Sequence, residues 1–147
     1  MEDFVELQIV SAIRKLLTGK VNELLGGIEY PIPLIEISGY KGGAVVVPVI
    51  NLASCERTEK ERIIRLDAYL ITISFSIPES PESELYCYAY SGAVSRALYE
   101  DPTLGGAADR AVITAKKYNP PKKPHCGEGW ELVISLRLTI EGNVYVG

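Results

Sequence analysis

From Trp130 to Glu141 apolar and polar residues alternate without a break. Trp130, Leu132, Ile134, Leu136, Leu138 and Ile140 fall on one side, and Glu131, Val133, Ser135, Arg137, Thr139 and Glu141 on the other. A period of two is the signature of a half-buried β-strand, because successive side chains point to opposite faces. Asp67 to Ile77 repeats the pattern, with Tyr69, Ile71, Ile73, Phe75 and Ile77 opposed to Ala68, Leu70, Thr72, Ser74 and Ser76. Two long strands with one apolar face each need something to cover that face, which commits the chain to a layered fold.

Two stretches have helical spacing. From Asp3 to Leu17 the residues Val5, Ile9, Ala12, Ile13 and Leu16 recur every three or four positions, with Asp3 near the start and Arg14 and Lys15 near the end, as the helix dipole favours. Thr18-Gly19 is expected to end this helix. Ser83 to Glu100 is expected to form a second helix, with Ser80 as its cap, Pro81 at its first position and Cys87, Tyr90, Val94, Ala97 and Leu98 as its apolar stripe. Ala89, Gly92 and Ala93 keep part of that helix small enough for close packing on a sheet.

The remaining segments read as strands and turns. Tyr30-Pro31-Ile32-Pro33 imposes an extended entry, Leu34 to Ser38 is a short strand and Gly39 to Gly43 a turn. Val45 to Ala53 is β-branched and apolar, but Pro48 restricts it to an edge or a bulge. Glu56 to Arg62 is highly charged and reads as a hairpin arm leading to the next strand. Arg110 to Tyr118 precedes the final strand. The expected fold is one α+β domain over residues 1–147, a mostly antiparallel sheet with helices packed on it, in the order α-β-β-β-α-β-β.

Composition limits the chemistry. With 147 residues and 47% hydrophobic content, the chain can build a core without disulfides or metal. Fifteen basic against nineteen acidic residues give a net charge of −4, which argues against phosphate gripping as the main task. Cys55, Cys87 and Cys126 are odd in number and widely spaced, which suits neither a disulfide framework nor paired zinc motifs and points to a reducing, cytoplasmic setting. No signal-peptide pattern opens the sequence, and no run nears the roughly 18 to 20 apolar residues of a membrane span. Phosphate-loop, dinucleotide, GxSxG and HExxH motifs are absent, so no cofactor is expected. His125-Cys126, followed by Glu128, is the one cluster resembling a reactive site. Adjacent residues on extended chain point apart, however, and the sole histidine sits among Pro120, Pro121 and Pro124.

The segment Leu98-Tyr99-Glu100-Asp101-Pro102-Thr103-Leu104-Gly105-Gly106-Ala107-Ala108-Asp109 joins the second helix to the last two strands. Asp101-Pro102 stops the helix, Gly105-Gly106 permits a reversal, and Asp109-Arg110 opens a strand. With the element order, the charged central hairpin and the Gly129-Trp130-Glu131 opening of the last strand, this connection resembles the tail terminator, or tail completion, proteins of long-tailed phages. The resemblance covers most of the chain.

It implies a structural, non-enzymatic protein of a virion or phage-tail-like particle, assembled in the host cytoplasm. Such proteins form a hexameric ring that caps the head-proximal end of the tail tube, ends its growth and presents the head-joining surface. The implied partners are further copies of the chain, the tail tube protein and head-tail connector proteins, with DNA only as cargo through the channel and no membrane. Val47, Ile50, Arg57, Arg62, Arg65, Tyr86 and Tyr90 are the expected subunit or tube contacts. Lys116, Lys117, Lys122 and Lys123 are the expected DNA or partner contacts, although four lysines without interleaved aromatics are a weak nucleic-acid signal. Read without the resemblance, these surfaces are solvated hairpins and a sheet-packed helix. Another connector or neck protein, a DNA-binding module, and a small enzyme or ligand-binding protein using Cys126 stay open.

Overall fold

The computed structural model describes residues 4–29, 31–37, 45–60, 64–122 and 128–143. Its elements are α1 (Val5–Leu16), a π-helical turn (Leu17–Val21), α2 (Asn22–Gly26), β1 (Leu34–Ile35), β2 (Val45–Val46), β3 (Val49–Lys60), β4 (Ile64–Pro78), α3 (Ser83–Glu100), β5 (Arg110–Asn119) and β6 (Glu128–Asn143). Four strands form an antiparallel sheet in the order β3-β4-β6-β5, and β1 and β2 make a small parallel pair. The helices cover one face of the large sheet, giving the α+β architecture expected from the alternating strands.

The pairing register explains why one face is dry. Ile73 of β4 lies opposite Ile50 of β3 and Ile134 of β6, and Ile71 opposite Leu52 and Leu136. With Tyr69, Phe75, Leu132 and Leu138 these side chains form the floor on which α3 lays Cys87, Tyr90, Val94, Ala97 and Leu98. The buried residues make one continuous cluster that also takes in Ile9, Ile13 and Leu17. The other face carries Asn51, Thr72, Ser74, Ser135 and Thr139, the small polar residues that alternation assigns to water.

Tyr90 joins three parts of this core. Its ring stacks on Phe75 with centroids 5.4 Å apart and planes 6° from parallel, and its hydroxyl donates to the Pro33 carbonyl in the segment before β1. Full burial without water requires such a partner for the phenol.

Several local expectations need correction. Thr18-Gly19 does not end the first helix. The chain widens into a π turn, Thr18 Oγ1 donates back to the Arg14 carbonyl at 2.9 Å, and the helical path continues to Gly26. The wider turn keeps Leu17, Val21 and Leu25 on the buried side, which rewards continuation. Pro48 does not sit within a strand but separates β2 from β3, and the bulge falls between Leu52 and Ser54. The charged stretch after Cys55 forms a hairpin arm as expected, and β3 stays in register with β4 as far as Lys60. Helix α3 starts at Ser83, two residues after Pro81. Ser83 Oγ donates to the Pro78 carbonyl at 2.6 Å and accepts the Ser80 N–H at 2.8 Å, while the Ser80 hydroxyl accepts the Glu82 N–H at 3.2 Å and lies 3.3 Å from Ser83 Oγ. The Gly39–Gly43 turn lies outside the described residues.

Gly129 marks the closest approach in the sheet. A Cβ there would lie 2.0 Å from the Ile77 carbonyl oxygen and 2.7 Å from the Pro78 carbonyl carbon, both backbone atoms beside the β4–β6 irregularity. Gly129→Ala is therefore expected to lower stability by about 1–3 kcal/mol through overpacking. A urea midpoint equal to that of the parent protein would contradict this packing.

Candidate assembly surface

The outer half of the β3–β4 hairpin is the first candidate surface, because it carries the charged residues singled out in the sequence. The register places Arg57 of β3 opposite Asp67 of β4, and Glu59 opposite Arg65 one rung further on. These residues share the face of Tyr69. Arg57 Nε donates to Asp67 Oδ1 at 2.8 Å, and its second nitrogen reaches Oδ2 at 3.3 Å. Arg65 Nε stands 3.3 Å from Oδ2 on the other side. Asp67 is only 4% exposed and is held between two guanidinium groups whose planar forks suit a carboxylate.

This geometry changes the roles expected for the arginines. Arg65 has a side chain 17% exposed, so it serves the inside of the arm rather than a neighbour. Arg57 remains about half exposed, but its guanidinium is committed to Asp67. Arg62 lies outside the described residues. Asp67 was missed, although its odd position in the Tyr69–Ile77 alternation already put it on the inner face.

Among the other expected contacts, Val47 is 46% exposed and Val49 beside it 64%. Ile50 is turned inward and packs on the core, and Tyr86 is half-buried against it. Tyr90 is fully buried and cannot contact another subunit, because it fills the space over Phe75. Each edge strand of the large sheet pairs on one side only among the described residues, β3 with β4 and β5 with β6.

The α3-to-β5 connection is a built structure. Asp101 N–H donates to the Ala97 carbonyl, and its carboxylate accepts the Gly105 N–H at 2.9 Å. Leu104, Gly105 and Gly106 all have positive φ, at 52°, 68° and 93°. Such a conformation costs a non-glycine residue about 1–3 kcal/mol, and Leu104 offsets it by burying its side chain, which is 4% exposed. The chain is then tied to β6: Asp109 N–H donates to the Thr139 carbonyl at 2.9 Å, and the Asp109 carboxylate accepts the Glu141 N–H at 2.6 Å. At the last residue of α3, Glu100 accepts from Lys20 Nζ at 3.0 Å and Arg96 Nε at 2.6 Å. Those hydrogen bonds, Lys20 first, lower the Glu100 carboxyl below its usual value.

The expected basic patch separates into unlike parts. Lys116 is half-buried on the helix side of β5, donating to the Ser91 carbonyl at 3.2 Å and to Ser95 Oγ. Lys117 and Lys122 are exposed, and Lys123 lies outside the described residues. Beside Lys116 stands an aromatic group the sequence reading did not assemble. Tyr88 meets Tyr118 edge-on at 5.7 Å and Trp130 at 6.1 Å, joining α3, β5 and β6. No sequence signal brings the three together, since each comes from a different element.

His125 and Cys126 also lie outside the described residues. Cys87 is fully buried, and burial pushes its thiol up to about 11, the reverse of what a nucleophile needs. Among the described residues no group of three or more His, Cys, Asp or Glu side chains is placed to hold a metal ion, and no helix is long and apolar enough to cross a membrane. No family model and no curated protein sequence matches the chain.

Two outcomes test this geometry. Asp67→Asn keeps the size of the side chain but removes the charge between the guanidiniums, and is expected to destabilise the fold by about 1–3 kcal/mol, more than Arg57→Gln does. Equal urea midpoints for Asp67→Asn and the parent would remove the cluster from the stability of the arm. For Glu100 the folded value lies below the unfolded one, so its contribution is present above the ordinary carboxyl value of 4.5 and is lost as pH falls through the lower folded value. The stability gap between the parent and Glu100→Gln should shrink across that acid range; a gap independent of pH would sink the assignment.

Proposed function

We propose that the chain is a tail terminator, a structural protein of a virion or phage-tail-like particle. It forms a ring on the head-proximal end of the tail tube, ends tube growth and offers the surface to which head-tail connector proteins join. The observation that carries this reading is the α3–β5 connection. The helix stop at Asp101-Pro102, the left-handed run through Leu104-Gly105-Gly106 and the strand start at Arg110 form the joint on which the family resemblance rests. It stands in a fold whose order follows the expected one, except that the second expected strand is divided at Pro48 into β2 and β3 and the first helix runs on through the π turn into α2.

The sheet supports the reading physically. An unpaired strand edge is a template for another chain. Here β3 and β5 are different edges on opposite sides of one sheet. A contact between unlike surfaces repeats head to tail, and it closes into a ring only if its rotation closes. By family resemblance the ring is a hexamer. In this role the protein needs surfaces rather than a catalytic site, the tube protein and connector proteins are its partners, and DNA passes through the channel as cargo.

Val47 and Val49 are the residues to alter, because they are exposed and leave the Asp67 cluster intact. Negative-stain images of the purified protein should show closed rings with a central channel, with a matching mass in solution at rising concentration. Val47→Glu with Val49→Glu should return the protein to a folded monomer. A monomer at every concentration for the parent chain would overturn the ring, and rings unaffected by the double substitution would remove the start of β3 from the interface.

A further inference from the structure

We propose that the groove between α1 and the α3–β5 connection receives the Val47-Pro48-Val49 segment of a second copy of this chain. The inference rests on the ring reading and names the two halves of its contact.

The groove has a volume of about 740 Å³. Leu7, Ser11, Ala12 and Leu16 of α1 form one wall, and Leu104 and Ala107 of the connection the other. Leu7 is 66% exposed, and Phe4, three residues earlier, is 50% exposed. A Cβ at Gly105 or Gly106 would meet nothing within 4 Å, so bare backbone lets an occupant come close on that side. Exposed apolar side chains beside a formed groove mark a protein contact more often than open solvent.

The groove favours a neutral occupant that brings side chains. Lys20, which lines it, already meets Glu100 at 3.0 Å and Glu23 at 3.7 Å, and the Asp101 carboxylate accepts the Gly105 N–H. Lys15 lines it too and is exposed to water. The amides of Gly105, Gly106 and Ala107 are bonded within the connection. What the groove has left to offer is apolar contact area, which suits a segment without charges and disfavours an anion or a nucleic acid.

The Val47-Pro48-Val49 segment has that character. No charged residue occurs from Val45 to Ser54. Val46 is buried, Val47 exposed, Pro48 buried and Val49 exposed, so the segment alternates as extended backbone does. It holds out two valine side chains about 6.7 Å apart, near the spacing of about 5.4 Å between successive turns of α1. A protomer does not fill its own groove. Val49 of the edge strand β3 pairs with Ser74 of β4. The connection leads into the opposite edge strand β5, and Asp109, two residues beyond Ala107, bonds Thr139, which pairs with Ala68 of β4. The two levels are about 20 Å apart along the strands. Joining one corner of a protomer to the opposite corner of the next is the head-to-tail contact that a ring requires.

The test is the mass of the protein in solution at rising concentration, with the far-ultraviolet spectrum as the check on folding. Leu7→Glu with Ser11→Glu alters two exposed positions of α1, so the spectrum should stay unchanged while rings are lost. Mixing decides the pairing. The groove variant keeps its valines, and Val47→Glu with Val49→Glu keeps its groove, so an equimolar mixture has one intact contact. It should give a dimer with one copy of each, a mass that neither variant reaches alone. Rings that persist in either variant, a mixture that stays monomeric, or a mixture that closes full rings would overturn this pairing while the ring of the parent chain stands. A parent chain that is monomeric at every concentration would overturn both.

Discussion

The contact between Tyr90 and Phe75 is the point on which the rest of the molecule depends. It presses α3 onto the middle of the sheet, and through the Tyr90 hydroxyl it also fixes the Pro33 carbonyl and the segment leading into β1. Removing that ring would open a cavity between helix and sheet and leave a carbonyl without its donor, two costs at one position. Asn22 repeats the device on a smaller scale, pairing both backbone groups of Ile35 through its amide at 2.9 Å and 2.8 Å. The N-terminal helical segment and β1 are thereby joined to the same core.

With one sheet face sealed in this way, what the described residues offer a partner lies outside that core. It includes the edges of β3 and β5, the polar outer face, the hairpin arm and the outward sides of α1 and α3. The arm is stiffened internally by Asp67 and its two arginines, so its charges define its own shape before they meet anything else. That economy separates it from a solvated charged loop, in which each side chain would remain free to choose a partner.

The sequence disclosed the period-two and period-3.6 parts of the fold. Every inward residue of β4 from Tyr69 to Ile77 is buried, the span of α3 is Ser83–Glu100, and its expected stripe is its buried stripe. Both readings rest on strictly local geometry. The errors came where local chemistry met distant packing. Thr18-Gly19 looks like a helix stop, yet burial of Val21 and Leu25 carries the helix on. Tyr86 and Tyr90 were expected alike as interface aromatics, yet the core claims Tyr90 fully and leaves Tyr86 half-buried, while Tyr88, about 200° round the helix from Tyr90, stays exposed. For the candidate surfaces, the helix-stop connection was legible because it is contiguous. The Asp67 cluster was not, because it depends on the exact pairing register of the β3–β4 hairpin, and the Tyr88–Tyr118–Trp130 group was not, because it joins a helix and two strands from separate parts of the chain.

Strand β6 follows β5 in the chain but lies between β4 and β5 in the sheet. During synthesis β4 therefore leaves the ribosome with its apolar face and one long edge unsatisfied, and must wait while α3 and β5 are made before its neighbour arrives. Pairing across such a separation is slow because loop closure precedes any gain, and the waiting intermediate exposes an edge of the kind that joins other chains. The same topology that makes the finished sheet depend on a late central strand thus gives the nascent chain an interval in which its most hydrophobic strand is open to the wrong partner.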